Sequence, residues 1–318
     1  MAATFRKQKD SCYRRQTLLK CYPYSQICLW YDIYPEMLKL LCKWFIEQRS
    51  RAPELPPPEQ DEYAYSEWEF KEGKHTWERF FAGRVDIAGK RVIDLGCGLG
   101  GKSAYYSTLG AKEVVGVDIL DENISKARKY CAAMRFAPTC FEYADAVHLP
   151  FEDASFDIAI SDDSFEHYPD PAGVISEAAR VLKPGGLFVI DFTQWASPYG
   201  HHLRRWIKAP WAHLILTTDE ISAITREVGE KQIAKIPNPQ QREKLPQKLE
   251  SDIKHHRECL NHISIGKFEK LIAESAKWIT RYTRHTSAAP LLYPLKVLPP
   301  LQEFVVGRNI YILERTNK

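Results

Sequence analysis

The run Val92-Ile93-Asp94-Leu95-Gly96-Cys97-Gly98-Leu99-Gly100-Gly101 constrains this chain more than any other stretch. Apolar residues lead straight into a glycine-rich turn, and Lys102-Ser103-Ala104-Tyr105-Tyr106 behind it reads as a helix. A strand, a glycine loop and a helix start together make a binding edge. Glycine lets the backbone adopt positive φ and come close to a ligand, and the helix start presents free N–H groups. A second strand, Glu113-Val114-Val115-Gly116-Val117, ends in Asp118. An acidic residue about 20 positions after such a loop is placed to accept hydrogen bonds from ribose hydroxyls.

The spacing is Asp-x-Gly-x-Gly-x-Gly from Asp94 to Gly100, which is not the dinucleotide fingerprint. It resembles motif I of the class I S-adenosylmethionine (SAM)-dependent methyltransferases, of the small-molecule, type 11-like branch. Three further stretches match in order. Val117-Asp118-Ile119 looks like the acidic ribose loop, Tyr143-Ala144-Asp145-Ala146 like the loop whose Asp reaches the adenine, and Leu182-Lys183-Pro184-Gly185-Gly186-Leu187-Phe188 like the late-core turn. The resemblance covers about residues 89–194 and the C-terminal strands. It implies an α/β, Rossmann-like sheet with helices on both faces. It also implies SAM as cofactor, S-adenosylhomocysteine as product, and cofactor contacts from Asp94, Gly96, Cys97, Gly98, Asp118, Ile119, Asp145, Ala146 and Ser161.

Composition narrows the alternatives. The 318 residues are 44% hydrophobic and 27% charged with a net charge of +3, which suits a globular protein and gives no basic footprint for nucleic acid. The eight cysteines form no Cys-x-x-Cys pair, so neither a zinc ribbon nor a redox motif is indicated, and reduced thiols in a cytoplasmic enzyme are expected. The early apolar run Met37 to Ile46 is broken by Lys39 and Lys43, so no transmembrane segment is expected. The basic N-terminus (Arg6, Lys7, Lys9, Arg14, Arg15) lacks the apolar region of a secretory signal.

Four regions follow. Residues 1–82 form a helical and aromatic lid, 83–194 the SAM-binding core, 195–267 a substrate cap inserted after the fifth strand, and 268–318 the strands that complete the sheet. Residues 1–50 read as helical, with Met37, Leu40, Leu41, Trp44 and Phe45 on one side of a helix over 36–49. That face suits the core, a second copy of the chain, or a membrane surface. The aromatics of 61–82 either fold over the cofactor mouth, as the resemblance implies, or pack the core. Asp121 is the expected N-cap of a helix over 121–135. Pro290, Pro294, Pro299 and Pro300 exclude a helix from the last connection.

Methyl transfer from a sulfonium needs alignment more than covalent help, with a base where the acceptor must lose a proton. Beyond the fourth strand the sequence Ser161-Asp162-Asp163-Ser164-Phe165-Glu166-His167-Tyr168 offers His167 and Glu166 for that role; the same pair may equally only shape the site. The cap holds six of the ten histidines, counted over 195–270, and Arg204 and Arg205 suit an anionic acceptor; His75 sits among the lid aromatics. His255, Cys259 and His262 share a helical face, but no further ligand at suitable spacing joins them, so no metal is expected. The leading expectation is a methyltransferase acting on the oxygen, nitrogen or carbon of a small molecule. A nucleic-acid methyltransferase is disfavoured because no Asn/Asp-Pro-Pro-Tyr/Phe follows the fourth strand. A non-catalytic, partner-binding subunit is disfavoured by the intact loop set.

Overall fold

A computed structural model describes residues 35–49, 63–287 and 290–317. The helical expectation for 1–34 lies outside the described residues. Seven strands form one sheet: β1 (Arg91–Leu95), β2 (Glu113–Asp118), β3 (Thr139–Tyr143), β4 (Phe156–Asp162), β5 (Leu182–Phe192), β6 (Trp278–Ser287) and β7 (Val306–Arg315), in the order β3-β2-β1-β4-β5-β7-β6. The first five run parallel, and β7 enters antiparallel between β5 and β6. The helices are α1 (Pro35–Arg49), α2 (Ala64–Thr76), α3 (Gly101–Thr108), α4 (Asp121–Met134), α5 (Pro171–Val181), α6 (Ala212–Ile215), α7 (Thr218–Ile233), α8 (Pro239–Glu258), α9 (Ile265–Ser275) and α10 (Pro299–Val305). The strand order reverses at β1 and β4, whose C-terminal ends leave a crevice, the place where open α/β sheets bind ligands.

Strand side chains alternate between faces, so β1 serves two cores at once. Ile93 and Leu95 pack with Val115, Ala159, Val174 and Phe188 under α5 and α9, whereas Val92 packs with Val114, Ile158 and Val189 under α2 and α3. Burial on both faces explains why the central strands read as nearly unbroken apolar runs. Trp77, Phe80 and Phe81 lie in the second core, so these aromatics of the 61–82 stretch pack the sheet and do not cover the cofactor mouth.

The insertion has a core of its own. Leu203, Trp206, Ile207, Ile221, Leu249 and Ile253 cluster with Cys42 and Ile46 of α1. The expected lid region is therefore divided: α1 belongs with the insertion, and only α2 belongs with the sheet. Of the three occupants expected for the apolar face of α1, the chain's own core is not the one: Cys42 and Ile46 are buried, while Met37, Leu40, Leu41 and Trp44 are exposed. Lys39 and Lys43 lie 3.4 and 3.8 Å from Glu220 of α7, which fixes the roll of the helix. Among the described residues no helix is long and apolar enough to cross a membrane.

Three local expectations change. Leu120, not Asp121, is the N-cap of α4, and Asp121 takes the first helical position, where its charge suits the helix dipole. Lys183 to Gly186 does not stand before β5 but bulges within it: Leu182 pairs with Phe156 and Leu187 resumes at Ile158, with Gly185 at φ +78°. Pro290–Val297 forms 3-10 turns and α10 starts at Pro299, because proline is tolerated in a first helical turn.

Candidate active site

The cofactor side of the crevice is built from backbone. Gly96, Gly98 and Gly100 all hold positive φ, at +74°, +55° and +81°. Gly96 and Cys97 both donate their N–H to the carbonyl of Val117, and Gly98 N donates to Asp118 Oδ2 at 3.1 Å, so the glycine loop is sewn to the end of β2. Asp118 Oδ1 accepts from Leu120 N at 2.9 Å and from Asn123 Nδ2 at 3.2 Å. Ile119 beside it is exposed, Asp145 is exposed and caps its own turn through Val147 N, and Ala146 is buried. These residues line one rim.

Two of the expected contacts lie deeper. Asp94 is buried and accepts from Ser103 Oγ at 2.5 Å, and burial pushes its carboxyl up to about 7. Ser161 is fully buried, with its hydroxyl 3.2 Å from Ser164 Oγ and 3.3 Å from the Tyr168 hydroxyl. Both Ser164 and Tyr168 donate to the carbonyl of Leu95. A Cβ at Gly96 would stand 2.8 Å from Ser164 Cβ, so this glycine is required by the chain after β4 as well as by the loop itself. Burial also raises the Cys97 thiol, which suits an unreactive packing role.

Sequence reasoning missed Glu69. It reaches the glycine loop from α2, where it accepts from Gly101 N at 3.2 Å and from Leu99 N at 3.5 Å. Burial raises its carboxyl to about 7 despite these donors. The signal was a stripe among the aromatics: Ser66, Glu69, Gly73 and Thr76 are the buried residues of α2 and recur at helical spacing.

The far side of the crevice is built from side chains. Lys102 Nζ sits 2.9 Å from Asp162 Oδ1, and the Tyr106 hydroxyl donates to Asp162 Oδ2 at 3.0 Å. Arg308 of β7 pairs with buried Asp191 at 2.9 Å. Glu166 is buried; its Oε1 accepts from Thr193 N at 3.3 Å, and its Oε2 has no hydrogen-bond partner. Burial, and then Asp163, raises its carboxyl well above the ordinary range.

His167 and its neighbour in sequence part company in role. Its Nδ1 is 3.0 Å from the carbonyl oxygen of Cys259, so it carries the proton, and burial lowers the pKa of the ring. His202 and His255 stand beside it, with ring centroids 5.2 and 4.7 Å from that of His167. Burial and the neighbouring imidazole hold His202 at about 3 and His255 at about 4. His201 points the other way, buried in the insertion and accepting from Leu203 N. His262 lies over Trp195 with centroids 3.7 Å apart, so the expected face of His255, Cys259 and His262 does not converge; His255 instead meets two histidines remote in sequence.

Next to His202 a cavity of about 280 Å³ is lined by Thr193, Ser197, Tyr199, His202, Arg204 and Gly307. The Arg204 guanidinium lies 4.8 Å from the Tyr199 ring centroid. Arg205 turns to Asp252 of α8, at 3.7 Å, and His75 is exposed on α2; neither lines this cavity.

Comparison with known proteins fits this geometry. A methyltransferase domain matches residues 93–190. The chain is 35% identical over 191 residues to 27-O-demethylrifamycin SV methyltransferase of Amycolatopsis mediterranei, an alignment covering 57% of this chain and 69% of that one. The chain belongs to the class I SAM-dependent methyltransferases. It is an enzyme, and its cofactor is SAM. It is also 39% identical over 102 residues to the chloroplastic tocopherol O-methyltransferase of Arabidopsis thaliana, covering 32% of this chain and 29% of that one. A solved structure of a SAM-dependent methyltransferase from Mesorhizobium loti superposes with a TM-score of 0.48 at 18% identity, covering 76% of this chain and 97% of that one. The glycine loop is closely backed by protein: a Cβ at position 98 would lie 2.7 Å from Glu69 Oε1 and one at position 100 would lie 2.7 Å from Ala127 Cβ, so neither position admits a side chain and the loop keeps the positive-φ path that suits a cofactor cradle.

Proposed function

We propose that this methyltransferase acts on a hydroxyl group of a small organic acceptor, held under the insertion where β4 and β5 end. The cavity beside His202 and Arg204 carries the reading, because it adjoins the imidazole group and lies on the strand-end side of the sheet. The named oxygen specificity of the rifamycin and tocopherol relatives supports the choice of oxygen. On this reading Asp118 holds the ribose, Ile119 covers the adenine, and Asp145 with Ala146 receives its edge. Asp94, Gly96, Cys97 and Gly98 shape the loop around the methionine end, with Ser161 as support behind it.

In the reaction the acceptor oxygen loses its proton and bonds to the methyl carbon as the carbon–sulfur bond breaks. SAM, when bound, would supply the methyl from its positive sulfonium and leave as S-adenosylhomocysteine, a neutral thioether. The enzyme's task is to hold oxygen, carbon and sulfur in line and to exclude water. Burial raises the Glu166 carboxyl well above the ordinary range, which disfavours it as the base, and the acceptor's proton leaves to solvent beside His167. Arg204 on the cavity wall suits an acceptor that carries a carboxylate or phosphate.

The test is incubation with methyl-labelled SAM and fractionated small-molecule extracts, followed by mass identification of the labelled product. A methyl ether or ester is expected. A label found only on nitrogen, on carbon or in nucleic acid would overturn the reading.

A further inference from the structure

We infer that His167, His202 and His255 together bind one divalent transition-metal ion of the zinc class. The three imidazoles come from the 3-10 turn after β4, the loop after β5 and the last turn of α8, and one nitrogen from each lies within 4.8 Å of the others. Three nitrogens around a tetrahedral zinc are about 3.3 Å apart, given a bond of about 2.0–2.1 Å, so each ring has to move inward by less than about 1 Å. The rings of His202 and His255 stand at 90° and 64° to His167, edge to face, and lie at 26° to each other with centroids 5.8 Å apart.

Three further observations fit a metal and not a mere packing of rings. His167 donates from Nδ1 to the Cys259 carbonyl, which leaves Nε2 with its lone pair; a ligating histidine is oriented in this way by a partner on its other nitrogen. His202 holds a left-handed backbone at φ +57°, a conformation that costs energy for a side chain of this kind and aims the ring at the other two. Glu166 Oε1 lies 3.9 Å from His202 Nε2, and its buried Oε2 has no hydrogen-bond partner. A buried polar oxygen without a partner is unusual, and an ion beside His202, or water bound to it, would give it one.

The donor set decides the class. Imidazole nitrogen suits zinc, cobalt, nickel, copper and iron, whereas magnesium and calcium take oxygen. Three histidines leave a fourth position open, beside the cavity that His202 lines. The site stands on its own geometry. If the proposed acceptor is right as well, its hydroxyl oxygen at that position would be polarised and lose its proton to solvent more easily.

The experiment uses the full chain, stripped with a chelator and then titrated with Co²⁺ in the absence of any acceptor. Ligand-field absorbance reports binding, and elemental analysis after zinc loading and gel filtration reports stoichiometry. About one ion per chain is expected for the wild type, with affinity reduced at least about tenfold in His202→Ala and in His255→Ala. SAM calorimetry on the same samples shows that the glycine loop is intact; should an alanine variant not fold, His255→Gln preserves bulk and should lose the metal equally. Equal metal content in wild type and folded variants, or none in either, would overturn the inference, and a failure to find a hydroxyl acceptor would leave these results unchanged.

Discussion

Where β1 and β2 end, the crevice is made of backbone; where β4 and β5 end, it is made of side chains. The first side uses three glycines at positive φ and the N–H groups of Gly98, Leu99 and Gly101, all within one short stretch. The second gathers His167, His202, His255, Asp191 and Arg308, contributed by the turn after β4, by β5 and β7, and by two parts of the insertion. A backbone site depends on which φ values each position can reach, so it answers to single residues and belongs to the shared chemistry of a cofactor. A side-chain site depends on how distant elements pack, so it can change without disturbing the cofactor. The insertion has its own core, and His202 and His255 carry it to the second side.

The sharpest way to break this contrast is Gly98→Val. A β-branched residue at φ +55° is strained, and its Cβ would meet Glu69 at 2.7 Å. Strain and contact together should weaken SAM binding at least about 100-fold, about 3 kcal/mol, with circular dichroism showing a folded protein. Tight SAM binding in this variant would mean that the loop does not cradle the cofactor.

Glu69 tests whether α2 belongs to the backbone side. Its carboxyl stands at about 7 in the folded chain against an ordinary 4.5. Between those values the folded state holds more protons than the unfolded state, so stability is full below pH 4.5 and falls as pH rises toward 7. Across that window the loss is about 3 kcal/mol. Glu69→Gln, which does not titrate, should flatten the fall by about that amount in urea midpoints measured at pH 5 and pH 8. An unchanged slope would show that Glu69 is not held in the loop.

The same contrast explains what could be read before the fold was known. The glycine loop, Asp118 and the parallel strands were legible because each is written in contiguous residues: apolar runs, glycine spacing, an acid at a strand end. Even there the side-chain partners were not. Glu69 was hidden among aromatics, and Gly96 turned out to face Ser164. On the far side, His255 was visible as a member of a helical face with Cys259 and His262, but its partners His167 and His202 lie 88 and 53 positions earlier in sequence, and only the packing of α8 against the end of β4 joins them. The apolar face of α1 was legible, but not which face meets the insertion: ion pairs to Glu220, which no periodicity encodes, accompany the burial of Cys42 and Ile46.

Asp118→Ala sharpens the cofactor side. A charge-assisted hydrogen bond to ribose is worth about 1.5–3 kcal/mol, so SAM should bind about 10- to 100-fold more weakly by calorimetry. Because Asp118 also holds Gly98 N, the loop should loosen at the same time, and hydrogen exchange at Gly98 should speed up. Unchanged affinity would remove Asp118 from the binding set.

Arg204→Ala asks the smallest question and the one most specific to the side-chain half. Arg204 is exposed, lies against the Tyr199 ring and lines the cavity, whereas Arg205 next to it is engaged by Asp252. An exposed cation contributes little to folding, so the variant should melt within about 1 °C or 2 °C of the wild type, in keeping with a surface change of about 0.5 kcal/mol or less. If Arg204 meets an anionic group on the acceptor, its loss should raise acceptor KM about 5- to 20-fold, the range of about 1–2 kcal/mol for one solvent-shared charged contact. The SAM dissociation constant should stay unchanged, since no cofactor group is assigned to this wall. Arg205→Ala separates the alternatives: it should cost stability through Asp252 and leave acceptor KM near the wild-type value. Kinetics with the identified acceptor, measured at saturating SAM, distinguish the two variants. Should both arginines move SAM affinity and neither move acceptor KM, the cavity would belong to the cofactor, and the division of the crevice into a backbone half and a side-chain half would have to be redrawn.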